Sequence, residues 1–200
     1  MGQSVCVMGT SDQRPLPYGV ATRGVMHCIV ETARLLVARR VHLPRSLVGT
    51  KLRFAVGATG RVYRETIVDG EAVNESCVLV VSSRLRWVHG LTHTLFRWES
   101  LLNTPLFVGF PGFVSKLWLA HDENDVYRGV YEWDGAERAE YYARCLWRVL
   151  ALVSTNGSIG YAIVPGLSRD EALADPDRIT RTVDLPAWAR LVAVDDSPTR

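Results

Sequence analysis

An α+β fold built on an antiparallel sheet is predicted by three features of the sequence. Residues 110–133, FPGFVSKLWLAHDENDVYRGVYEW, hold two runs rich in aromatic and β-branched side chains, 113–120 and 126–133, around the polar loop 121–125, the pattern of a β-hairpin. Ahead of it, CVLVVSSRLRWV from Cys77 alternates: Leu79, Val81, Leu85 and Trp87 share one face and Arg84 and Arg86 the other, as in a strand with one face on a core. Two segments of helical periodicity, at about 91–103 and 135–154, flank the hairpin.

At 200 residues, 48% hydrophobic and 22% charged, the chain is long and apolar enough to bury a core, which fits one domain with appendages. Its formal charge of +2 and dispersed arginines point to no nucleic-acid surface and no membrane surface. Cys6, Cys28, Cys77 and Cys145 are far apart, with no C-x-x-C and no histidine at zinc-finger spacing, so reduced buried thiols are expected and no metal site. With no leader pattern and no long apolar span, a cytoplasmic location is expected.

Residues 1–75 read as an N-terminal annex. SDQRPLPYG is kept irregular by its prolines; a helix is expected over about 22–40, with Val25, Cys28, Ile29, Leu35 and Leu36 on a helical repeat; and KLRFAV-GATG-RVYRETIV, about 51–68, reads as a hairpin. The main unit is assigned to 76–166. After its first strand, Leu91, Leu95, Trp98 and Leu102 recur at helical spacing until Thr104-Pro105; the central hairpin follows; then Asp134 is placed as N-cap of a helix with Ala139, Ala143, Leu146, Leu150 and Val153 as its buried stripe. A last strand is expected over 158–164, and 167–200 reads as a mostly irregular C-terminal arm anchored by Trp188. Strand, helix, strand, strand, helix, strand is the ferredoxin-like βαββαβ arrangement, with both helices on one face. The other face is too apolar to leave in water, so it should close against a second copy, the arm or the N-terminal segments.

PGFVSKLWL, then YRGVYEW, then a helix opening on an acidic, alanine- and tyrosine-containing segment, resembles the dimeric α+β barrel superfamily, especially its small monooxygenases, over about residues 77–166. The resemblance implies a homodimer whose sheets face each other around a pocket. It also implies an activity such as cofactor-independent oxygenation of an aromatic or isoprenoid-like hydrophobic substrate; a noncatalytic ligand-binding or dimerisation module, haem binding included, is the alternative on the same fold. No cofactor is assigned.

Strand alternation supplies the candidate site. Phe113, Ser115, Leu117 and Leu119 share one face, which suits the helices, so Lys116 and Trp118 should look toward the open face. If Ala120 pairs with Tyr127, that face also receives Tyr127, Gly129, Tyr131 and Trp133, an aromatic wall suited to a flat ligand; a one-residue shift brings Arg128 and Glu132 instead. Lys116 and Tyr131 are the catalytic candidates, each with a structural alternative as an ion-paired or hydrogen-bonded core residue. Trp118, Tyr127 and Trp133 are the substrate-binding candidates, with His93 and Arg97, one helical turn apart, at the pocket edge. The loop of His121, Asp122, Glu123 and Asp125 matches no calcium-binding spacing, and no hydrolase, phosphate-loop or dinucleotide motif is present.

Overall fold

The computed structural model describes residues 14–70, 72–86 and 104–195. Among these, eight strands form one antiparallel sheet: β1 (Val41–His42), β2 (Lys51–Phe54), β3 (Thr59–Val68), β4 (Ser76–Arg84), β5 (Phe113–Leu119), β6 (Val126–Asp134), β7 (Gly160–Pro165) and β8 (Leu191–Asp195). Their order is β7-β4-β6-β5-β3-β2-β8, with β1 paired to β3. The run β7-β4-β6-β5 is the ferredoxin-like strand order, so the fold class expected from the sequence is the one observed. The sheet also continues across the boundary drawn at residue 76, because β3 pairs along β5, from Val62↔Leu119 to Ile67↔Ser115.

Helix α1 (Tyr18–Val37) starts four residues ahead of the expected segment, and α2 (Ala136–Val153) packs against it and against β4, β6 and β7. Asp134 does not cap α2. Its carboxylate accepts from the backbone N–H groups of Asn74 and Glu75 at 2.9 and 3.0 Å, and Gly135, at φ 101°, takes the turn into the helix. The α2 stripe is also more aromatic than expected: Ala139, Tyr142, Ala143, Cys145 and Leu146 are buried, whereas Val153 is exposed. The expected helix at about 91–103 lies outside the described residues, together with His93 and Arg97.

The C-terminal arm departs most from its sequence reading. It forms α3 (Arg169–Ala174), α4 (Asp177–Thr182) and strand β8. Its charged residues build structure: Ser168 and Glu171 form a reciprocal capping box, and Arg178 and Arg181 donate to Glu171 and Asp175 at 2.8 and 2.6 Å. Trp188 is half-buried against Gly160, where it meets the sheet.

Two apolar layers result. On one face Leu79, Val81, Trp118, Tyr131 and Trp133 pack with Tyr142 of α2 and with Phe107 and Phe110 of the segment entering β5. On the other, Val78, Val80, Leu117, Leu119 and Val130 pack under Leu167, Ile179, Leu185 and Leu191 of the arm and under Leu52 and Phe54 of β2. The face opposite α2, expected to close against a second copy, the arm or the N-terminal segments, is covered by the chain's own arm and hairpin. Both sides of β4 are buried, not one, for the same reason.

Polar anchors hold the arm in place. Arg169 meets the buried Glu65 of β3 at 2.9 Å, Ser46 Oγ donates to the same carboxylate at 3.1 Å, and Arg128 Nε donates to the Trp188 carbonyl. Glu132 lies in this layer too, its pKa raised by burial against the opposing charge of Arg169.

Candidate functional site

The central hairpin fixes the site. Lys116 pairs with Tyr131, Leu117 with Val130 and Trp118 with Gly129, which is the first of the two registers considered and puts Lys116, Trp118, Tyr131 and Trp133 on one face. That face is turned toward α2, not toward the opposite side of the sheet as expected. Alternation fixes which residues share a face but not which layer covers it, and both sets here are apolar enough for either. A bulge between Phe113 and Ser115 adds Phe113 to the Lys116 side, so the set Phe113, Ser115, Leu117, Leu119 is split between the two layers.

Lys116 lies in a cage of rings. Its Nζ is 3.1 Å from the ring centre of Trp118, 4.5 Å from Phe107 and 4.6 Å from Tyr131, and the residue is 6% exposed. Trp118 is held by its Nε1–H, which donates to Thr66 Oγ1 of β3 at 3.2 Å. Arg64 stands 4.7 Å from the same ring, and its Nη2 donates to Thr104 Oγ1 at 2.5 Å. Phe107 packs edge-on to Trp118 at 5.3 Å, on a segment seated against α1: a Cβ at Gly109 would fall 2.2 Å from the Cys28 carbonyl oxygen. Only glycine permits that approach.

Among the described residues no acceptor lies within hydrogen-bonding distance of Lys116 Nζ, and no carboxylate pairs with it. Burial pushes its pKa well below the usual lysine range, and the Arg64 charge pushes the same way. The ring faces favour the ammonium by about 2 kcal/mol when desolvated. Taking an unpaired ion out of water costs several kcal/mol, so burial outweighs the rings and the shift is downward. Tyr131 is also buried, which raises its pKa, and the Tyr142 hydroxyl donates to its oxygen at 3.2 Å. The site thus combines an amine whose protonation burial disfavours with a phenol whose ionisation burial disfavours.

The other candidates are dispersed. Trp133 packs on Tyr142 at 4.7 Å and on Phe113 at 5.5 Å, one cross-strand pair beyond the cage. Tyr127 lies past Gly129 at the far end of the hairpin, beside His121 at 5.6 Å. The space above Gly129 is filled by Tyr131, since a Cβ there would sit 2.7 Å from Tyr131 Cε2. In the 121–125 loop, the Asp122 carboxylate accepts from the N–H groups of Asn124 and Val126 and from Arg128 at 2.6 Å, which commits it to the turn. No group of three metal-ligating side chains occurs among the described residues. Phe107, Tyr142, Arg64 and Thr66 had no signal in the sequence; the adjacent pair Tyr141-Tyr142 on a buried helix was the nearest to one.

No protein-family model matches the chain, and no curated protein does. Among solved structures it is similar to a ferredoxin-fold protein of Listeria monocytogenes related to antibiotic biosynthesis monooxygenases (15% identity, 56% of this chain and 66% of that one, TM-score 0.40). A monooxygenase-like protein of Listeria innocua is similar at 15% identity over the same shares, with a TM-score of 0.39. A major regulator of staphylococcal pathogenesis is similar at 10% identity, 56% and 69%, with a TM-score of 0.38. The match spans just under two thirds of the Listeria chains. The likeness is one of fold, and no residue role is carried across it.

Proposed function

We propose that the protein is a monooxygenase-like enzyme that needs no cofactor and acts on an aromatic or isoprenoid-like hydrophobic substrate at the Lys116 cage. One observation carries this reading: a lysine only 6% exposed, its amine surrounded by rings, with no carboxylate partner among the described residues. A structural lysine snorkels to solvent or pairs with an acid, and this one does neither. In the reaction, Lys116 takes a proton from a ring-flanked methylene of the substrate, and the Tyr131 hydroxyl donates to the enolate oxygen as charge develops. Molecular oxygen then converts the methylene to a carbonyl and releases water. Four electrons leave the substrate and four enter oxygen, so no external reductant is required.

A second reading, a noncatalytic ligand-binding or dimerisation module, is favoured by how completely Phe107, Tyr131 and Tyr142 fill the cage. Haem does not fit the described cage, which contains no histidine and whose Tyr131 oxygen is already bonded to Tyr142. Oxygen uptake with a panel of hydroxylated polycyclic aromatics tests the proposal. Turnover that falls at least about a hundredfold in Lys116→Met supports it, as expected for loss of a general base. A panel that binds without oxygen uptake selects the second reading.

A further inference from the structure

We propose that the outer face of α1 is a docking surface for an anionic phospholipid bilayer, with the helix lying in the plane of the interface. The helix has two unlike faces. Ala21, Gly24, Cys28 and Thr32 are buried toward α2 and the 104–110 segment. At about 100° per residue, Met26, Ile29, Val30, Ala33, Leu36 and Val37 form a second apolar stripe roughly 120° wide on the outside. Met26, Val30, Leu36 and Val37 are each more than half exposed, Val37 at 86%. Ile29, Val30, Ala33 and Val37, with Arg34 and Ala38, line an open groove of about 610 Å³ on this side. An exposed apolar strip of this length is unusual on a soluble helix and marks a contact surface.

Charge selects the occupant. Arg23 and Arg34 run along one edge of the stripe, and Arg39 and Arg40 follow its C-terminal end, all exposed. Residues 14–45 hold six arginines and one carboxylate, Glu31, whereas the whole chain holds 23 basic and 21 acidic residues. The small net charge of the chain therefore conceals a strongly basic segment. Among the described residues, Glu31 pairs with Arg34 at 3.2 Å, and Asp69 meets His42 at 2.6 Å while its carbonyl accepts from Arg40. An apolar stripe edged by arginines is the composition of an interfacial helix, whose affinity sums buried apolar area and attraction to anionic headgroups. No helix among the described residues is long and apolar enough to cross a membrane.

The test is flotation of the full-length protein with vesicles of phosphatidylglycerol and phosphatidylcholine in equal parts, and with phosphatidylcholine alone. Association with the mixed vesicles should exceed that with the neutral ones by about tenfold and should weaken in high salt. Val30→Asp combined with Val37→Asp should abolish it without changing the melting temperature, because both side chains are exposed; Arg23→Gln with Arg34→Gln should remove the preference for the anionic lipid. Three results overturn the proposal: a parent protein that stays off the mixed vesicles, an aspartate variant that floats as the parent does, or an aspartate variant whose only change is a lower sedimentation coefficient, which assigns the stripe to a second copy of the chain.

Discussion

Lys116 and Tyr131 face each other across the β5–β6 pair, the amine nitrogen 4.6 Å from the ring centre, and Tyr131 in turn accepts a hydrogen bond from Tyr142 on α2. An amine and a phenol are thereby fixed on rigid strands and backed by a helix. This arrangement gives both side chains measurable signatures in stability, apart from any activity.

The first signature is pH dependence. The Lys116 pKa is lowered in the folded protein from an unfolded value of about 10.4, so between the two values the unfolded chain binds the additional proton. Stability therefore rises with pH through that window and levels off above the unfolded value. Lys116→Met removes the titrating group and should melt higher than the parent at neutral pH, with the difference shrinking as pH approaches about 10. Thermal melts of both proteins across that range are the check; equal pH slopes would show that Lys116 is not buried as described.

Tyr131→Phe is expected to lose turnover or ligand affinity, and it also strands the buried Tyr142 hydroxyl. The loss should be about 1–3 kcal/mol, so the variant is not neutral in stability. Adding Tyr142→Phe should recover much of it, because both partners are then apolar. A double-mutant cycle by urea denaturation measures the coupling, and additive losses would contradict the hydrogen bond.

Phe107→Ala should open the cage from the α1 side. The cost is about 3–5 kcal/mol from lost burial and cavity formation, offset in part by uptake of a small aromatic such as phenol. Calorimetric titration of the variant with phenol, with the parent as control, reads this out. A variant that loses stability yet takes up nothing would mean that the cage collapses instead of opening.

The arm gives the fourth expectation. Arg169→Met leaves the carboxylate of Glu65, 1% exposed, without its guanidinium, and breaking a buried pair from one side costs about 3–5 kcal/mol. Pairing it with Glu65→Gln should restore most of the loss. Enhanced binding of a hydrophobic dye by the single variant, absent in the double, would place the exposed apolar surface at the arm; dye binding unchanged in both would argue against that anchor.

Much of the fold was legible because its strongest signals are local. Alternation in 113–120 and 126–133 set the strands, but it left two hairpin registers open, and the structure takes the one that brings Lys116 opposite Tyr131. The layer covering each face was not legible: Leu117 and Trp118 are equally good core residues, and Pro111-Gly112 marks the start of the strand without saying that a bulge just after it moves Phe113 across. The arm was misread as irregular because DEALADPDR looks like a solvated charge run, whereas its acids cap and pair within two six-residue helices. In the site, the strand residues could be named from the sequence, but Phe107 and Tyr142 arrive from elements whose approach depends on tertiary packing.

The pairing of β2 with β8, from Lys51↔Asp195 to Phe54↔Leu191, joins the early part of the chain to one of its last strands. During synthesis the hairpin of β2 and β3 leaves the ribosome long before β8 exists, and Leu117, Leu119 and Val130 emerge with no arm to cover them. Contacts so distant in sequence form slowly, because closing the long loop must precede any gain from the pairing. The nascent protein therefore passes through a stage with one apolar sheet face and one sheet edge uncovered, the stage at which a chaperone would engage it and at which overexpression would send it to inclusion bodies.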